Sequence, residues 1–87
     1  MTDDVVTVTA GEYWTDDVAD TEEGVVTNWF VNEGTNVSAD ELLGEIQIEK
    51  VTIDIHAPTD GTIVKLAVAE GDAFEQTSTL FQIDPAS

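Results

Sequence analysis

The 87 residues are enough for one compact domain, read as Met1 to Ser87, but too few to spare apolar surface for a deep catalytic pocket. Nineteen acidic residues stand against two lysines and no arginine, a net charge of −17, which argues against nucleic acid, an anionic membrane or free phosphate as partners. There is no cysteine, so the chain offers no disulfide, thiolate nucleophile or thiolate metal site, and any redox chemistry must come from a bound group.

Apolar residues recur at every second position and turn residues interrupt them at short intervals, so an all-β chain is expected. The start, Met1-Thr2-Asp3-Asp4, lacks the basic and apolar regions of a signal peptide. Apolar runs such as Trp29-Phe30-Val31 are short, so a soluble cytoplasmic protein is expected. Val6 and Val8 alternate with Thr7 and Thr9 in a first strand, followed by an acidic loop from Gly11 to Glu23 that carries Tyr13 and Trp14. Gly24 to Val31 forms a strand closed by Asn32-Glu33-Gly34, where glycine supplies the positive φ of a tight turn. Trp29 and Phe30 are neighbours in that strand and must point to opposite faces, one to the core and one to the surface. Leu42 to Glu49 and Val51 to His56 make the next pair. Ala57-Pro58-Thr59-Asp60-Gly61 turns into a strand from Thr62 to Val68, and Glu70-Gly71-Asp72 turns toward the last strand, Leu80 to Asp84.

The chain also resembles itself. A shift of 37 residues places Gly24 on Gly61, Val31 on Val68, Glu33-Gly34 on Glu70-Gly71, Leu43 on Leu80 and Ile46 on Ile83, with Val26 on Ile63 and Val37 on Phe74 as conservative matches. Each strand-turn-strand unit has one apolar face, and packing two such faces together buries both. The expected fold is a flattened β-barrel or sandwich of two four-stranded sheets with pseudo-twofold symmetry, a barrel-sandwich hybrid. The same shift carries Lys50 to the C-terminus, so the hairpin that holds it and the chain ends should occupy equivalent, opposite poles.

Ile46, Ile48, Ile53 and Ile55 alternate with polar residues on two strands that meet at Glu49-Lys50-Val51, which places Lys50 at a hairpin tip. That tip lacks the Asn-Gly, Asp-Gly or glycine-rich pair usual for short hairpins. Lys50 is one of only two cations in the chain, the other being Lys65. An exposed amine on a rigid tip is a reachable nucleophile for an acylating enzyme. From the residues alone, a solvated turn lysine beside Glu49 is the equal alternative.

From Val5 to Asp84 the chain resembles a lipoyl domain of the 2-oxoacid dehydrogenase acyltransferase family, itself similar in fold to biotin carrier domains. The resemblance is carried by Gly24-Val-Val-Thr-Asn-Trp-Phe-Val-Asn-Glu-Gly34, by Leu43-Gly-Glu-Ile-Gln-Ile-Glu-Lys-Val-Thr-Ile53, by Ala57-Pro58 with Gly61, and by Val68-Ala-Glu-Gly71. Gly34 and Gly61, sixteen residues before and eleven after Lys50, stand where the family pattern has glycine. The resemblance implies lipoic acid on Lys50, with Glu45, Gln47, Glu49 and Val51 as the residues that an attaching enzyme reads. Glu49 before the lysine and Val51 after it favour lipoate over biotin, whose carriers flank the lysine with methionines. Gln47 departs from the pattern, since many lipoyl domains carry glutamate there.

The implied partners are a lipoate-attaching enzyme, a thiamine-diphosphate decarboxylase, an acyltransferase and dihydrolipoamide dehydrogenase. The chain is expected to be a monomeric carrier, not an enzyme. A biotin carboxyl carrier and a glycine-cleavage aminomethyl carrier are the alternatives. The latter family has extra terminal elements for which this chain has no room. Nothing after Asp84 resembles a subunit-binding or acyltransferase domain, so the carrier is expected to be free-standing or completed by a partner protein. His56, the only histidine, has no companion for catalysis. Asp3-Asp4, Asp16-Asp17, Asp20 and Glu22-Glu23 lack the ligand spacing of a calcium loop, and no metal site is expected. The acidity is read as adaptation to a salt-rich cytoplasm, with an acidic docking face as the competing reading.

Overall fold

The computed structural model describes residues 5–85. The Asp3-Asp4 pair considered above lies outside them. Alternating polar and branched apolar residues form eight strands: β1 (Val6–Thr9), β2 (Glu23–Trp29), β3 (Asn36–Val37), β4 (Leu42–Ile48), β5 (Val51–His56), β6 (Gly61–Leu66), β7 (Ala73–Glu75) and β8 (Thr79–Pro85). They make two four-stranded antiparallel sheets, ordered β1-β8-β6-β3 and β5-β4-β2-β7. The sheets face each other as a sandwich, and no strand pairing among the described residues closes them into a barrel.

Side chains alternate as the pleat requires. Ile46 and Ile48 of β4 are fully buried whereas Gln47 between them is exposed. Leu43, Ile55, Leu80, Phe81 and Ile83 are equally sealed, each worth roughly 1.5–3 kcal/mol of burial. Trp29 and Phe30 do diverge: Phe30 is 54% exposed, whereas Trp29 packs on the core.

Two strands, β3 and β7, escape the sequence reading because two or three residues carry no measurable alternation. Two others end earlier than expected. The Trp29 N–H donates to Glu70 Oε2 at 2.7 Å and the Leu66 N–H donates to Glu33 Oε2 at 3.0 Å. These carboxylates end β2 and β6 before Val31 and Val68.

The 37-residue shift reappears in the hydrogen bonds. Gly34 donates to the Ile63 carbonyl at 2.6 Å, and Gly71 donates to that of Val26 at 2.7 Å; the two glycines have φ of +93° and +85°. Phe30 donates to Leu43 at 2.8 Å as Ala67 does to Leu80 at 2.9 Å, and the turns Ser38 to Glu41 and Glu75 to Ser78 each close at 3.0 Å. The shift has no partner for β5 within the chain, and β1 takes its place: Val6 pairs with Ile83 as Ile53 pairs with Ile46.

This equivalence sets the shape. A seven-residue strand spans about 23 Å, yet the molecule measures 40 × 21 × 20 Å. The strands β4 and β8 therefore run outward in opposite directions from a shared middle, where Trp29 meets Phe81 edge-on at 6.1 Å. The β4–β5 turn lies at one pole, and the start of β1 at Val6 and the end of β8 at Pro85 lie toward the other.

The segment between β1 and β2 is a packed strap with no counterpart in the second repeat. It contains two 3₁₀ turns, Ala10–Tyr13 and Asp16–Val18. Ala10 and Val18 are buried, and Trp14 meets Phe74 edge-on at 6.1 Å. The Trp14 indole Nε1 is buried without a hydrogen-bond partner.

Candidate functional site

The β4–β5 hairpin turns through only two residues, Glu49 and Lys50, between the paired Ile48 and Val51. Buried Ile48 and half-buried Val51 anchor the two strand ends from inside the sandwich. Both turn residues are exposed. Glu49 has φ of +61°, whereas Lys50 does not enter the positive range. Those signs belong to a type II′ turn, whose first central residue is ordinarily glycine. Holding a residue with a Cβ at such a positive φ costs on the order of 1–3 kcal/mol, so this turn holds strain next to the lysine.

Hydrogen bonds converge on Glu49. Gln47 Nε2 donates to its carbonyl at 3.2 Å, and Thr21 Oγ1 donates to its Oε1 at 3.3 Å. The Glu49 carboxylate is thus held by the strap and is not an ion-pair partner of the lysine. Among the described residues neither lysine comes within 4.0 Å of a carboxylate oxygen.

The four residues expected to surround Lys50 divide into two groups. Gln47, Glu49 and Val51 lie at or beside the turn, with Val51 facing inward against the core. Glu45 sits farther back on β4. Its carboxylate accepts from Asn28 Nδ2 at 3.4 Å, its carbonyl accepts from Thr27 Oγ1 at 3.0 Å at the bulge in β2, and it lies opposite Asp54. His56 is exposed at the end of β5. No group of three or more His, Asp or Glu among the described residues is arranged to hold a metal ion. Sequence reasoning missed Thr21, which lies 28 positions from Glu49 within a loop whose path the sequence does not disclose.

The shallow groove beside the turn is lined by Glu23, Gly24, Val25, Gln47, Glu49 and Ala73. It contains neither a base nor a nucleophile beyond carboxylates. What the tip does offer is one exposed primary amine on an anchored two-residue turn. That chemistry suits an amide-linked group, which needs a reachable nitrogen and no enclosing pocket.

The family model described as "biotin-requiring enzyme", a biotin/lipoyl model, matches residues 17–83. The chain belongs to the biotin/lipoyl family. The dihydrolipoyllysine-residue succinyltransferase component of the 2-oxoglutarate dehydrogenase complex of Rickettsia felis is 47% identical to this biotin/lipoyl domain over 49 residues, 56% of this chain and 12% of that one. The dihydrolipoyllysine-residue acetyltransferase component of the pyruvate dehydrogenase complex of Staphylococcus aureus is 32% identical over 62 residues, 71% of this chain and 14% of that one. The solution structure of the lipoyl domain of the 2-oxoglutarate dehydrogenase complex from Azotobacter vinelandii superimposes with a TM-score of 0.71 at 28% identity, covering 78% of this chain and 86% of that domain. The chain thus spans about an eighth of the length of these curated relatives and nearly all of an isolated lipoyl domain. It is a carrier domain of the lipoyl type.

Proposed function

We propose that Lys50 carries lipoic acid in amide linkage and that the domain serves as the acyl carrier of a 2-oxoacid dehydrogenase-type complex. The observation that supports this most is the exposed Lys50 amine on an anchored two-residue turn. When bound, the group supplies a dithiolane that accepts an acyl unit as its disulfide is reductively opened.

The chain's own residues provide the mount. In its neutral form Lys50 Nζ adds to an activated carboxyl carbon, the activating group leaves, and the nitrogen's proton passes to solvent, which leaves a neutral amide. Ile48 and Val51 hold the mount still, and its exposure at the tip of the β4–β5 hairpin leaves it open to several enzymes. Tethering raises the local concentration of the carried group at each of them. The partners are a lipoate-attaching enzyme that recognises the turn built by Gln47, Glu49 and Val51 with Glu45 behind them, a thiamine-diphosphate decarboxylase, an acyltransferase and dihydrolipoamide dehydrogenase. The strongly negative surface keeps copies apart and supports a monomer. The same charge is read as adaptation to a salt-rich cytoplasm.

Intact mass of the protein from its native host tests the assignment. A lipoyl increment that disappears in Lys50→Ala and persists in Lys65→Ala is expected. A biotin increment, no increment, or a lipoyl increment that survives Lys50→Ala overturns it.

A further inference from the structure

Glu49 occupies a conformation that its own side chain disfavours, and such a residue relaxes unless its surroundings over-determine it. Two side chains do so from different directions. Gln47 reaches forward along its own strand to the Glu49 carbonyl, and Thr21 reaches across from the strap to the Glu49 carboxylate. The strap is itself fixed, because the Thr21 N–H donates to the Val18 carbonyl at 2.9 Å and Val18 is buried. A carbonyl accepts only from a donor, so the Gln47 amide serves where a carboxylate would set oxygen against oxygen.

We propose that Gln47 and Thr21 are positioning residues for Lys50: by holding Glu49 in its left-handed conformation they fix the direction in which the next side chain leaves the sheet. The attaching enzyme then meets the amine in one pose. This rests on Lys50 being the acceptor, and it makes Gln47 a residue that shapes the turn, in contrast to one that the enzyme touches.

The test takes the full unmodified chain and a purified lipoate-attaching enzyme, and compares wild type with Gln47→Met, Thr21→Val, Glu49→Gly and the double variant Gln47→Met with Glu49→Gly. Glycine adopts a positive φ freely, so it removes the need for the clamp. Gln47→Met alone should lower kcat for attachment about three- to ten-fold, with KM for the domain little changed. In the glycine background the same change should cost less than about two-fold. An equal loss in both backgrounds, or a raised KM with kcat intact, makes Gln47 a direct contact of the enzyme and overturns the proposal.

A second readout needs no enzyme. The strong NMR cross-peak between the amide and α protons of Glu49 that marks a positive φ should weaken in Gln47→Met and in Thr21→Val. The Lys50 amide order parameter should fall in both from about 0.85 toward 0.6. Unchanged values in both variants overturn the clamp. If wild type accepts no lipoyl group, the acceptor assignment fails, and the NMR comparison still decides whether Gln47 and Thr21 hold the turn.

Discussion

The two sheets share one frame and differ in what they turn outward. On the sheet of β1, β8, β6 and β3, Thr7 lies opposite Gln82, whose Nε2 donates to Thr7 Oγ1 at 3.2 Å. Asn36 lies opposite Thr62, whose hydroxyl donates to Asn36 Oδ1 at 2.7 Å. The charged residues in those strands are Asp84 and Lys65. On the sheet that ends at Lys50, the positions of Thr7 and Gln82 are taken by Asp54 and Glu45, directly opposite each other, and Glu23 likewise opposes Glu75. Its strands contain no lysine. Since a neutral hydrogen-bonded pair serves the place equivalent to Glu45 and Asp54, the fold does not need those two carboxylates. They are part of what the sheet ending at Lys50 presents.

The sharpest way to break the comparison is in the core. Leu43 and Leu80 are equivalent and both fully buried, so alanine at either should cost about 2–5 kcal/mol, and the two costs should agree within about 1 kcal/mol. Denaturant unfolding of the two variants measures this, and a large disparity would show that the halves are not energetically alike.

A smaller effect is expected from giving the sheet that ends at Lys50 the other sheet's solution. Glu45→Gln with Asp54→Thr removes a like-charge pair and should add roughly 0.2–1 kcal/mol in dilute salt. The gain should vanish in 1 M potassium chloride, where the Debye length is about 3 Å. Wild type should itself become more stable from low to multimolar salt, and a flat response would count against both the charge contrast and the salt-adapted reading.

The smallest effect belongs to the strap, which only one half of the molecule carries. Burial raises the Tyr13 phenol above its ordinary value of 10.0, and the neighbouring Glu12 charge adds to the rise. The unfolded chain therefore loses this proton first as pH increases. The contribution of the buried neutral phenol is complete below about pH 10 and is lost as pH climbs through the higher titration of the folded form. Tyr13→Phe should show a shallower fall in unfolding midpoint above pH 10 than wild type.

The residues that announced the fold are those whose signal is local or repeated. Ile46, Ile48 and Ile55 alternate as a pleated strand must, and the 37-residue echo foretold the pairing of the halves. What stayed hidden depends on residues far apart in the chain. Glu33 and Glu70 were visible as a matched pair, but nothing local says that each carboxylate closes a strand in the opposite repeat. The strain at Glu49 was hinted at by the absence of turn residues, while its restraint by Thr21 depends on how the strap folds over the sheet. The strap itself, expected only as an acidic loop carrying Tyr13 and Trp14, is packed through Ala10, Trp14 and Val18, and the charges around these residues dilute their apolar signal.

The crossed carboxylates of Glu33 and Glu70 bear on what half of this molecule could be. A lone strand-turn-strand unit would leave the amide that ends its strand without its acceptor, and would hold out a glutamate with no amide to receive. Two identical units facing each other would satisfy both needs through one self-complementary interface, as in an isologous dimer. The present chain has that architecture with its two protomers joined head to tail, so the partner is never diluted away.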